Sequence, residues 1–80
     1  MNITIQSVHF DAADHLEDFI NQKVGKLDQY FDGILGAEVI LRLDKSETLE
    51  NKVAEITLDI PGNNAFAKKQ NKTFEEAVDL

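Results

Sequence analysis

The side chains in this chain that are most able to do chemistry stand in pairs, without the third member that a site requires. His15 and Asp18 lie three residues apart, so a helix would bring an imidazole and a carboxylate to one side, where they could ligate a metal. The wet face of a helix around them makes them solvent-exposed surface instead. Asp28 and Asp32, four apart, have the composition for acid–base work, but nothing suggests a pocket for them, and they read as a repelling surface pair. Ser7 and Ser46 lack both a Gly-x-Ser-x-Gly context and a plausible base. Gly25, Gly33, Gly36 and Gly62 are too scattered to form a phosphate-cradling loop. The chain has no cysteine, which removes disulfides and thiolate zinc sites. The expectation is a protein with no catalytic residue, no metal and no cofactor.

The lysines are more informative. Lys23 and Lys26 are three residues apart, and Lys68, Lys69 and Lys72 cluster further along. Ammonium groups on flexible stems are what phosphate oxygens bind, so these five are the candidate nucleic-acid-binding residues. Each group also has an ordinary structural use. Cations late in a helix complement its dipole, and lysines on an edge strand discourage aggregation. Fifteen acids against eight bases leave a net charge of −7, which by itself promotes solubility and argues against a phosphate-rich partner. Where the charges lie therefore matters more than their sum.

Their placement depends on the elements that carry them. Ile3 to Val8 alternates apolar and polar, the period of a half-buried strand. Asp11 is positioned to cap a helix, with Asp14, Glu17 and Asp18 at the positive end of its dipole. Leu16, Phe19, Ile20, Val24, Leu27, Tyr30 and Phe31 form one apolar stripe, which predicts an amphipathic helix of roughly five turns. Gly25 weakens it internally and Asp32-Gly33 ends it.

A second strand over 37–44 places Val39, Leu41 and Leu43 on one face, and 45–51 is a polar loop. A third strand, Lys52 to Ile60, turns Ala54, Ile56, Leu58 and Ile60 inward and Val53, Glu55, Thr57 and Asp59 outward. Pro61-Gly62-Asn63-Asn64 is a turn, and residues 65–70 return as a fourth strand. Thr73-Phe74-Glu75-Glu76 is a capping box that opens a second helix, where Phe74, Ala77 and Val78 begin another stripe.

The predicted class is thus α+β in the order β-α-β-β-β-α, a four-stranded sheet with helices on one face. Residues 1–80 form a single domain without repeat or linker. A helix of about two turns cannot cover such a sheet, so the second helix is expected to be truncated and the domain incomplete at its C-terminus. Apolar sheet surface would then be exposed and would favour self-association. With neither a signal-like N-terminus nor an apolar run of membrane length, the expected location is the cytoplasm.

The segment from Phe19 to Asp32, with its run of Lys, Leu, Tyr and Phe, resembles the first helix of the ribosome hibernation-promoting factors. These are also called ribosome-associated translation inhibitors, sigma-54 modulation proteins or S30EA-like proteins. Thr73 to Asp79 is similar to the opening of that family's second helix, and the order of elements agrees, so the resemblance runs from Ile3 to Leu80. It implies a fold like that of double-stranded-RNA-binding domains, and a stress or stationary-phase factor. Such a factor sits on the small ribosomal subunit, against ribosomal RNA in the messenger and transfer RNA channel, and inhibits translation. It implies no small-molecule substrate. Carried over by position, Lys23 and Lys26 are the phosphate contacts, with Lys68, Lys69 and Lys72 added from the basic patch. The chain departs from the family in lacking a basic continuation of the second helix, and in carrying Glu75 and Glu76. The alternative is a protein–protein interaction module without RNA binding, favoured by the acidic stretch from Asp11 to Asp18.

Overall fold

The computed structural model describes residues 2–31, 33–44 and 50–79. Its elements are β1 (Asn2–Ser7), α1 (Asp14–Gly25), a 3-10 segment (Lys26–Gln29), β2 (Gly36–Leu43), β3 (Lys52–Ile60), β4 (Asn63–Asn71) and α2 (Phe74–Val78). The strands form one sheet in the order β1-β2-β3-β4, with β1 parallel to β2 and the other pairs antiparallel. Parallel neighbours need a crossover, and α1 supplies it. The architecture is the expected α+β sheet with two helices.

Register follows the alternating pattern. Ile5 lies opposite Val39, Val39 opposite Ile56, and Ile56 opposite Ala67, so one row of apolar residues crosses all four strands on the helix side. Leu16, Ile20 and Val24 of α1 and Phe74, Ala77 and Val78 of α2 pack on that side as one contiguous core. The Phe10 ring stacks on Phe74 at 5.1 Å between centroids, tying the approach to α1 to the start of α2. The opposite sheet face, with Thr4, Gln6, Glu38, Glu55, Asp59, Asn64 and Lys68, carries no helix. It is crossed instead by an Arg42–Glu55 ion pair at 2.8 Å.

Several boundaries differ from the sequence expectation. The continuous five-turn helix becomes twelve α-helical residues that tighten at Gly25 into the 3-10 segment. Gly25 has no neighbour within 4 Å of where a Cβ would stand, so packing does not require it; its low helix propensity falls where the winding changes. With three residues per turn in place of 3.6, the four-residue step from Leu27 to Phe31 no longer returns to the same face, and the segment ends at Gln29. Leu27 stays half-buried against the core, while Tyr30 and Phe31 turn out to solvent. Asp11 does not cap α1. Ala13 is the cap residue, without a side-chain bond, and its carbonyl accepts from Leu16 and Glu17 N–H.

Leu43 was expected on the inner face but is exposed, since it lies at the sheet's end beyond the reach of the core residues. Val53 faces away from the helices yet is only 3% exposed, because Arg42 and Gln70 flank it in register on the two neighbouring strands. The Gln70 amide goes on to donate to Asp44 Oδ2 at 3.0 Å and to the Glu50 carbonyl at 2.6 Å. The polar loop expected at 45–51 lies outside the described residues over 45–49. The turn between β3 and β4 is shorter than expected. Pro61 and Gly62 alone make it, with Gly62 at φ +84, as the third position of a type II turn requires. Asn63 already pairs with Ile60.

Half of the expected capping box forms as drawn. The Glu76 N–H donates to Thr73 Oγ1 at 3.1 Å, whereas the Glu76 carboxylate accepts from the Thr73 hydroxyl at 3.3 Å and not from its backbone N–H. Because α2 has only five residues, that cap is a large part of what defines it. Replacing Thr73 by Ala should lower stability by about 1 kcal/mol. A deeper loss follows from Ile20, which is fully buried: Ile20→Ala should cost about 2–5 kcal/mol. Urea denaturation followed by circular dichroism measures both. An Ile20→Ala midpoint equal to wild type would mean that α1 does not anchor the core.

Candidate nucleic-acid interface

The five candidate lysines divide by the geometry of their elements. Lys23 and Lys26 lie at the end of α1 and the start of the 3-10 segment, and both line a cleft of about 160 Å³ together with Leu27, Tyr30 and Val78. Lys23 Nζ lies 3.1 Å from Asp79 Oδ1 and 5.7 Å from the centre of the Phe19 ring, so its ammonium is held between a carboxylate and an aromatic face. Lys69 reaches the same acidic residue from the sheet, donating to the Asp79 carbonyl at 3.1 Å. Lys26 forms no salt bridge with a described residue.

Lys23 and Lys69, forty-six residues apart in sequence, thus meet at the C-terminal end of α2. Lys26 extends the same patch along the helix. The contact also has a structural use, since cations at a helix C-terminus satisfy its unpaired carbonyls. It remains open to solvent: the Lys23 and Asp79 side chains are 37% and 63% exposed. Exposed pairs of this kind contribute only about 0–1 kcal/mol, so a competing anion can displace the carboxylate at little cost.

Lys68 does not join this group. Successive residues of a strand face opposite sides, and Lys68 lies opposite Glu55 on the sheet face without helices, while Lys69 lies opposite Ala54 beneath α2. Reading the two as one basic cluster overlooked that alternation. Lys72 is exposed in the turn before α2, where its backbone N–H bonds the Asn71 side chain.

Sequence reasoning missed two participants. Asp79 entered only as a negative charge and as the end of the 73–79 segment, and no local signal marked it as the residue on which two lysines converge. Tyr30 was assigned to the buried stripe but is 77% exposed. The warning was available in Gly25, five residues earlier, as a place where the helical period could change.

Beside the basic cleft lies an apolar groove of about 230 Å³, lined by Leu27 and Phe31 on one side and by Ile56, Leu58, Ala65 and Ala67 of the sheet. The other candidates stay isolated. His15, Asp18 and Asp28 are exposed, whereas Asp32 and Ser46 lie outside the described residues. Among the described residues no group of three or more metal-ligating side chains forms, and no helix is long and apolar enough to cross a membrane.

Comparison with known proteins agrees with this architecture. A ribosome hibernation promoting factor from Acidithiobacillus ferridurans is 33% identical over 79 residues, which cover 99% of this chain and 100% of that protein. One from Pseudomonas putida is 30% identical over 79 residues, covering 99% of this chain and 74% of that protein. Among solved structures, the N-terminal domain of Thermus thermophilus Protein Y superposes with a TM-score of 0.82 at 30% identity, over 99% of this chain and 84% of that one. Residues 3–80 match the family described as Sigma 54 modulation protein / S30EA ribosomal protein, and the chain belongs to that family.

Proposed function

We infer that this chain binds the small ribosomal subunit through ribosomal RNA in the messenger and transfer RNA channel. There it inhibits translation and promotes hibernation under stress or in stationary phase, as a non-enzymatic cytoplasmic factor without cofactor or small-molecule substrate. The observation that carries the reading is the meeting of Lys23, Lys26 and Lys69 on one exposed surface, brought together from a helix and a distant strand. Membership of a family whose relatives are named ribosome hibernation promoting factors supports the choice of partner. Lysines act here as point charges that meet phosphates, and such contacts position a protein without reading base identity. Lys72 belongs to the same reading as a peripheral contact, whereas Lys68 faces elsewhere.

Three phosphate contacts make binding salt-dependent. Raising salt from about 50 to about 200 mM should weaken association roughly twenty- to forty-fold. Cosedimentation of the chain with purified small subunits measures this. The double reversal Lys23→Glu/Lys26→Glu and the single change Lys69→Glu should each reduce the bound fraction, and Lys68→Glu should leave it unchanged. Equal cosedimentation of the double variant and wild type would remove those two lysines from the interface.

A protein–protein module is the second reading, favoured by the exposed acids Asp11, Asp14 and Asp18 near the start of α1 and by the open edge of β4. Affinity that survives ribonuclease treatment of the partner would select it.

Self-association is part of the proposal as well, through the apolar groove between Phe31 and the β3–β4 surface. Sedimentation equilibrium should give an apparent mass that rises with concentration, and Phe31→Ser should return it toward the monomer. A monomer mass for the wild-type chain at every concentration would remove the groove as a self-contact.

A further inference from the structure

Among the described residues Tyr30 is the most exposed of the large apolar side chains, at 77%, and it lines the same cleft as Lys23 and Lys26. A surface tyrosine alone is ordinary. One placed beside two ammonium groups is a different object. Tyr30 directly follows the last residue of the 3-10 segment and lines the cleft beside the two lysines.

An exposed ring within a basic cleft is the combination by which single-stranded nucleic acid is held: the ring stacks on a base while the cations take the adjoining phosphates. Duplex RNA offers no such contact, because its bases are stacked on one another and its surface is phosphate and 2′-hydroxyl.

We propose that Tyr30 is a stacking platform for one unpaired nucleobase, with Lys26 and Lys23 on the flanking phosphates, so that this surface selects single-stranded over double-stranded RNA. The inference rests on the RNA-binding reading above and narrows its ligand to an unstacked nucleotide. Lys26 is the immediate phosphate contact, since it has no salt bridge with a described residue. Lys23 joins once a phosphate takes the place of the Asp79 carboxylate.

The chain contains one tyrosine and no tryptophan, so its intrinsic fluorescence reports on Tyr30 alone. Titration with a short single-stranded oligouridylate should quench that emission, and a blunt RNA duplex should leave it unchanged. In anisotropy measurements with the labelled strands, Tyr30→Ala should weaken single-strand binding about ten-fold, leaving the salt slope and duplex binding as in wild type. Tyr30→Phe should retain most of the affinity, and because the ring is exposed, the thermal midpoints of both variants should match wild type. Lys26→Glu should lower both affinity and salt slope. If Tyr30→Ala binds the single strand as wild type does while Lys26→Glu weakens it, the stacking inference is overturned and the RNA reading stands. If the lysine reversals also change nothing, the RNA reading fails with it.

Discussion

The placement of the candidate lysines depends on the alternation of side chains along β4. Each residue of a strand faces the side opposite to its neighbours, so Lys68 and Lys69, adjacent in sequence, are separated by the thickness of the sheet. The apolar face of that sheet lies under the helices, so the inner position has helical neighbours and the outer one has only strands. Lys69 therefore reaches the end of α2, and Lys68 lies in register opposite Glu55 on the other face. Slipping β4 by one residue would exchange the two lysines, and would also move Ala65 and Ala67 off the face that α2 and the 3-10 segment border. The apolar register of β4 thus sets which of the two lysines lies on the helix side.

A second change of period, in the helix, completes the arrangement. Through α1 the apolar residues recur with helical spacing, and Leu16, Ile20 and Val24 are sealed against the sheet. Beyond Gly25 the winding tightens to a 3-10 segment that ends at Gln29. Leu27 still reaches the core, but Tyr30 and Phe31 do not, and they take separate roles. Phe31 walls the apolar groove, while Tyr30 stands beside Lys23 and Lys26. The helical segment thus anchors the fold through α1 and ends with Tyr30 beside two lysines.

Most of the fold was legible because its signals are local and periodic. Alternation over 52–60 matched β3 from end to end, and the stripe through Leu16, Ile20 and Val24 identified the buried face of α1. The capping motif at Thr73 placed the start of α2 correctly. What escaped depended on competition between elements. Asp11 has the right chemistry for a cap, but the helix begins after Ala13, once Phe10 has turned inward to stack on Phe74. Val53 has an outward register, yet two long neighbours cover it. The site was legible only as a list of lysines. Which of them meet is decided by sheet register and helix packing, and no spacing within a single element encodes that.

The acidic total need not oppose phosphate binding, because screening confines electrostatic influence to about 8–10 Å at ordinary salt. The acids at the start of α1 lie at the far end of a twelve-residue helix from Lys26, about 18 Å along its axis. Their field is largely screened before it reaches the cleft. The only acid paired with the lysines of that cleft among the described residues is Asp79, and it holds Lys23 through an exposed bond. The effective charge seen by an approaching anion is therefore local. The local cations are Lys23, Lys26 and Lys69, set against Asp79 and against Asp28 two residues from Lys26, on a protein whose net charge still repels polyanions from its other surfaces. That contrast lends orientation to the encounter. In the proposed reading a phosphate chain is disfavoured over most of the molecule and met by cations at one edge, so the negative balance would help direct binding to the lysines.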